Sequence, residues 1–125
     1  YHWGGLLAFL GMQELIDVEP LGYLRIGSLQ FADSGLRNIH IAGEPYEVQL
    51  DRGVRATRNG RPLLECTTRA IVRLPVGQPA DAPIEISAPA GGVLKLHTAE
   101  ARPARLNGQS TLTPTVADGV AQYTW

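Results

Sequence analysis

The rhythm of apolar residues changes at Pro20. Before it, Leu6, Leu7, Ala8, Phe9, Leu10, Met12, Leu15 and Ile16 crowd a stretch whose polar residues include only Gln13, Glu14 and Asp17 near its end. Leu, Met and Ala are good helix formers, and Gly4, Gly5 and Gly11 weaken a helix without forbidding it. The pattern predicts one helix over Tyr1–Asp17. On a helical wheel its apolar positions surround nearly the whole circumference, whereas a surface helix carries a single apolar stripe. Such a helix belongs inside a larger body. Pro20 ends it, because the residue before a proline is biased to extended geometry.

From Leu21 onward short extended runs alternate with turn signals. Tyr23–Leu29, Asn38–Ile41, Tyr46–Leu50, Val54–Arg58, Pro62–Thr67, Arg69–Pro75, Ile84–Ser87, Val93–Thr98, Ala104–Leu106 and Val120–Trp125 read as strands. In the third run Tyr46, Val48 and Leu50 share one face, with Glu47, Gln49 and Asp51 on the other, the period of a half-buried strand. Asn59-Gly60 is the strongest local signal, since a type I′ hairpin turn needs φ > 0 at both central residues, and Asn107-Gly108 repeats it. Runs at this spacing, with no second helical pattern, predict a mainly β fold. The expected architecture is an antiparallel two-sheet β-sandwich preceded by one N-terminal hydrophobic helix. The organisation read from this is residues 1–20 as the terminal helix of an otherwise missing helical domain, and residues 21–125 as the sandwich.

Composition narrows the functions. A length of 125 residues suits one domain, and 11 basic against 12 acidic residues leaves a net charge of −1. That balance argues against electrostatic nucleic-acid binding and against a polybasic membrane anchor. Cys66 is the only cysteine, so no intrachain disulfide forms; a free thiol favours a cytoplasmic protein. The uncharged stretch Trp3–Met12 is about half as long as a bilayer requires, and no basic region precedes it as a signal peptide would need. Tyr1 is not an initiator methionine, and together with the all-round apolar helix this leads to the expectation of a piece of a longer protein. Exposed in isolation, that helix would drive dimerisation.

The search for chemistry is mostly negative. His2, His40 and His97 are widely spaced and form no metal-ligand motif, so no metal or cofactor is expected. Cys66 alternates with Leu64 toward the interior and has no activating context. Glu14, Asp17 and Glu19 are the one carboxylate cluster; Glu14 and Asp17 would share a helix face, but as solvent-facing charges paired to a neighbour such as Arg25. Arg52, Arg55, Arg58, Arg61, Arg69 and Arg73 are interrupted by Asp51 and Glu65 and read as a solvated sheet face. Tyr123 and Trp125 share a face by period two and would form a small sugar-stacking patch if exposed, although burial is the commoner fate of such rings.

Tyr1-His2-Trp3-Gly4-Gly5-Leu6-Leu7-Ala8, then Gln13-Glu14-Leu15-Ile16-Asp17 and Gly22-Tyr23-Leu24-Arg25-Ile26-Gly27-Ser28-Leu29, resembles the C-terminal region of trehalase-like and mannosylglycerate-hydrolase-like glycoside hydrolases. Arg37–Gly43, Tyr46-Glu47-Val48 and Arg58-Asn59-Gly60 are similar to the β-sandwich appended to the helical barrel of such enzymes. The resemblance implies a non-catalytic, bacterial accessory domain whose partner is the helical catalytic domain of its parent chain. It implies no catalytic residue here, because the family's acid and base lie on barrel loops that would precede Tyr1. Tyr1, His2 and Trp3 would at most line the floor of a sugar pocket completed by the barrel. The alternative is an autonomous module that binds carbohydrate or protein; an independent enzyme using Glu14 and Asp17 is a third reading.

Overall fold

The computed structural model describes residues 15–19, 22–29, 34–76, 78–79, 81–98 and 100–125. Strands β1 (Ile16–Glu19) and β2 (Tyr23–Ser28) form the first hairpin. A four-strand meander follows: β3 (Ser34–Ile41), β4 (Glu44–Leu50), β5 (Val54–Arg58) and β6 (Arg61–Cys66). β7 (Ala70–Pro75) returns to pair with β2, and β8 (Ile84–Ser87) pairs with β7. β9 (Val93–Leu96) crosses to pair with β6. β10 (Ala104–Leu106) and β11 (Ser110–Leu112) complete the first sheet, β12 (Thr115–Ala117) and β13 (Val120–Thr124) the second. The orders are β1-β2-β7-β8-β10-β11 and β12-β13-β9-β6-β5-β4-β3.

The expected mainly β, two-sheet architecture is therefore present. All pairings are antiparallel except β8 with β10, which run parallel, a departure from the purely antiparallel expectation. The connection from β8 to β10 passes through β9 in the opposite sheet, and this crossover is what lets two strands of one sheet run the same way.

The helix expected over Tyr1–Asp17 is corrected at its end. Ile16–Glu19 is the edge strand β1, and of the expected helix only Leu15 has helical backbone among the described residues; residues 1–14 lie outside them. Read with period two, Ile16-Asp17-Val18-Glu19 alternates apolar and charged, and pairing places Ile16 opposite Ile26 and Val18 opposite Leu24. Branched side chains on a half-buried pleat favour this outcome over a helical one. The β1–β2 hairpin spans the boundary drawn at residue 20, so residues 16–19 are built into the same sheet as β2.

The core lies between the sheets. Register aligns Ile16, Ile26, Val72 and Ile86 across four strands of the first sheet. In the second, Val48, Ala56, Leu64, Leu96 and Ala121 make one inward row, and Leu50, Val54, Cys66, Leu94 and Tyr123 another. These residues form one continuous buried cluster. Each fully buried Leu, Ile or Val contributes about 1.5–3 kcal/mol relative to exposure. A bulge between Ala56 and Thr57 skips Leu63 in the pairing, so that Leu63 and Leu64 are both buried.

The outward faces are charged instead. Across all six strands of the first sheet the register runs Asp17, Arg25, Arg73, Glu85, Arg105, Thr111. Across six strands of the second it runs Gln49, Arg55, Glu65, Lys95, Gln122, Thr115. Opposite charges on neighbouring strands, such as Asp17 with Arg25 and Glu85 with Arg105, stabilise such rows modestly, while Arg25 opposite Arg73 works against this. No helix among the described residues is long and apolar enough to cross a membrane.

Candidate functional site

One end of the sandwich carries the Ala42-Gly43 turn joining β3 to β4 and the Asn59-Gly60 turn joining β5 to β6. Both turns have positive φ at their two residues, 53° and 80° in the first, 54° and 73° in the second. The second is the hairpin expected from Asn-Gly; the first carries no such signal, because Ala gives no preference for that conformation.

Between the sheets at this end is a cleft of about 440 Å³. The first sheet contributes Val18, Leu24, Leu74 and Ile84, the second Ile41, Tyr46, Leu63 and Leu96. Val76, just after β7, and Val18 flank it and are about half exposed, at 54% and 51%. Glu44, Arg58, Glu100 and Arg102 supply charge to its lining. The volume falls inside the range of about 300–1,000 Å³ typical of ligand pockets, and an apolar lining with few polar groups is their usual chemistry.

One wall is fastened by Arg102. Its guanidinium donates to Glu100 Oε2 (2.8 Å), to the Pro79 carbonyl (2.9 Å) and to the Ala82 carbonyl (3.1 Å). Its own carbonyl accepts the Tyr123 hydroxyl at 2.7 Å. Burial pushes the Tyr123 phenol up to about 12, against a small opposing effect of the Arg102 charge. Two loops and the core strand β13 thus meet at one residue. His97 lies on the same lining; its main-chain N–H donates to the Leu63 carbonyl at 2.9 Å, while its Nε2 is buried with no hydrogen-bond partner. Leaving a buried polar atom unpaired costs about 1–3 kcal/mol.

A second, shallower hollow of about 620 Å³ lies by the turn after β4, lined by Asp51, Arg52, Arg55, Glu65 and Lys95 among others. Asp51 there is a turn-former. Its Oδ1 accepts the Gly53 N–H at 3.0 Å, and that bond holds its carboxyl below the usual carboxylate range. Its carbonyl accepts Arg69 Nε at 2.6 Å.

The residues singled out from the sequence are dispersed. Tyr1, His2, Trp3 and Glu14 lie outside the described residues. Asp17 and Glu19 project from β1 onto the charged outer face, where Glu19 accepts Arg73 Nε at 2.7 Å, rather than converging on a cavity. His40 is exposed and bonded to the Asn38 carbonyl, far in sequence from His97. Cys66 is buried beside the core row, as alternation indicated. Four of the six arginines lie in strands, Arg73 in the first sheet and Arg55, Arg58 and Arg61 in the second, while Arg52 and Arg69 lie in connections; Arg55 and Arg58 pair with Asp51 and Glu44. Tyr123 is fully buried, and Trp125 rests over Gly92 with Nε1 donating to the Pro89 carbonyl at 2.8 Å. The stacking patch considered for these two rings is therefore replaced by packing. Among the described residues no group of three or more His, Cys, Asp or Glu side chains is placed to hold a metal ion.

The end cleft was not readable in advance, because its two walls come from residues as distant as Val18 and Arg102. Comparison with known protein families, curated proteins and solved structures finds no match to this chain.

Proposed function

We propose that this chain is the non-catalytic C-terminal β-sandwich of a larger carbohydrate-active enzyme, a glycoside hydrolase. It would pack on that enzyme's helical catalytic barrel and stabilise it. The reading rests on the resemblance carried by Tyr1–Ala8 and Gly22–Leu29, and the sandwich fold is compatible with it. The observation that carries it furthest is the distribution of apolar surface. Both broad faces bear charged rows, while Val18 and Val76 are exposed beside an apolar cleft at one end. Of the four exposed large apolar side chains among the described residues, Val18 and Val76 line this cleft, whereas Leu29 and Val116 do not; the apolar surface at the cleft is suited to being covered by a neighbour. The occupant fitting this reading is the parent enzyme's helical domain.

The carboxylates nearest the N-terminal segment support an accessory role, since Glu19 is engaged by Arg73 on a sheet face. The purified chain is expected to show no hydrolysis of trehalose, mannosylglycerate or aryl glucosides. Turnover that survives repurification would overturn the accessory assignment. Titration with oligosaccharides separates this reading from an autonomous glycan-binding module: the accessory domain gives no saturable heat, whereas saturable heat lost on Trp125→Ala would favour the module.

A further inference from the structure

The two Asn-Gly turns have nearly the same backbone and different side-chain surroundings. At Asn59-Gly60 the φ angles are 54° and 73°, and at Asn107-Gly108 they are 52° and 70°. Both asparagines also anchor their main-chain N–H, Asn59 on the Pro45 carbonyl (2.9 Å) and Asn107 on the Ile86 carbonyl (2.7 Å). The main chain therefore does not distinguish them.

The amides do. Asn107 Oδ1 accepts the Ala88 N–H at 3.0 Å, and its Nδ2 donates to the Ala88 carbonyl at 2.9 Å. Both ends of that amide are held by the backbone of one residue. Both asparagines are exposed, but Asn59 makes a single side-chain bond, Nδ2 to Glu44 Oε1 at 3.3 Å. That single 3.3 Å bond is the one side-chain bond that holds the amide plane.

We propose that Asn59 is a site of spontaneous deamidation and that the fold protects Asn107 from the same reaction. The Gly60 amide nitrogen forms a bond to Asn59 Cγ and the Cγ–Nδ2 bond breaks. The amide proton of Gly60 leaves with the departing ammonia, and no electron is gained or lost. Water then opens the resulting five-membered imide to aspartate or isoaspartate. The absence of a side chain on glycine keeps this approach open at both sites. At Asn107 the amide must first leave both bonds to Ala88, whereas at Asn59 one long, exposed bond to Glu44 gives way. Conversion replaces the Nδ2 donor facing Glu44 with a second carboxylate, in a hollow that Arg58 and Arg61 also line.

Peptide mapping by mass spectrometry after incubating the folded protein in mildly alkaline buffer tests this, with a parallel incubation in denaturing urea. In the folded protein Asn59 is expected to convert faster than Asn107 by on the order of tenfold, as suits a difference of about one hydrogen bond. In urea the two rates are expected to become similar. Equal rates in the folded protein, or no conversion at Asn59 while the denatured chain converts, would overturn the proposal. A preference for Asn59 persisting undiminished in urea would also overturn it, by assigning the difference to neighbouring sequence rather than to the Ala88 bonds.

Discussion

Arg73 on β7 donates Nε to Glu19 Oε1 on β1 at 2.7 Å, reaching diagonally across the intervening strand β2. The pair fastens the edge strand to the sheet interior. Both side chains are about two-thirds covered, with relative exposures of 33% and 28%, so the bond is only partly screened. Arg73→Ala or Glu19→Ala is expected to cost about 1 kcal/mol in urea unfolding. A double-mutant cycle should give a coupling near ~0.5–1 kcal/mol that falls as salt is raised. Additive single-mutant effects would mean that the pair contributes nothing.

Tyr123 gives a pH signature. Its folded pKa is raised from 10.0 to about 12, so the folded state keeps a proton that the unfolded chain releases. The stability linked to this proton is complete below pH 10 and is lost as pH climbs toward 12. The slope is at most about 1.4 kcal/mol per pH unit. Tyr123→Phe should cost about 1–2 kcal/mol at neutral pH, because the Arg102 carbonyl loses its partner. The same variant should be less sensitive to alkali than the parent, as followed by denaturant midpoints across that window.

Ala42 occupies a left-handed position, φ 53°, in the turn between β3 and β4. A residue with a Cβ is disfavoured there by about 1–2 kcal/mol, and Asn tolerates the region best after Gly. Ala42→Asn turns the pair into Asn-Gly and should stabilise the protein by about 0.5–1 kcal/mol, seen as a higher denaturant midpoint with an unchanged slope.

Gly27 is the opposite case. It sits next to the last residue of β2 at φ 103°, and a Cβ there would run into the Ala70 carbonyl of β7 while touching Val54 of the other sheet at 3.4 Å. Gly27→Ala is expected to destabilise by about 3 kcal/mol or more through strain and overpacking together. Thermal unfolding within a degree or two of the parent would contradict the close approach.

What could be read from the chain follows how local each signal is. The Asn59-Gly60 turn is encoded by two adjacent residues whose left-handed tolerance is intrinsic, and it was expected. The turn at Ala42-Gly43 depends on the strands it joins, and Ala announces nothing. Asp118-Gly119, with φ 53° and 74°, closes a hairpin between β12 and β13 whose first strand is only three residues long, too short to show alternation. The Ile16–Glu19 segment is the instructive error. Leu15 and Ile16 continue an apolar run of helix formers, but Ile16 and Val18 are claimed by Ile26 and Leu24 through pairing that a local pattern does not register. The end cleft escaped for the same reason, since it exists only once both sheets are in place.

The most direct test of the accessory reading measures association between this chain and the parent enzyme's helical domain produced without it, by calorimetry or sedimentation. The expected result is a complex that is weakened at least about tenfold when Val18 and Val76 are both changed to Lys, because charge is then placed in an apolar contact. Changing Lys95 and Arg105 on the two broad faces to Ala should leave it intact. No association, or an affinity indifferent to the valines and lost with the face charges, would contradict the account.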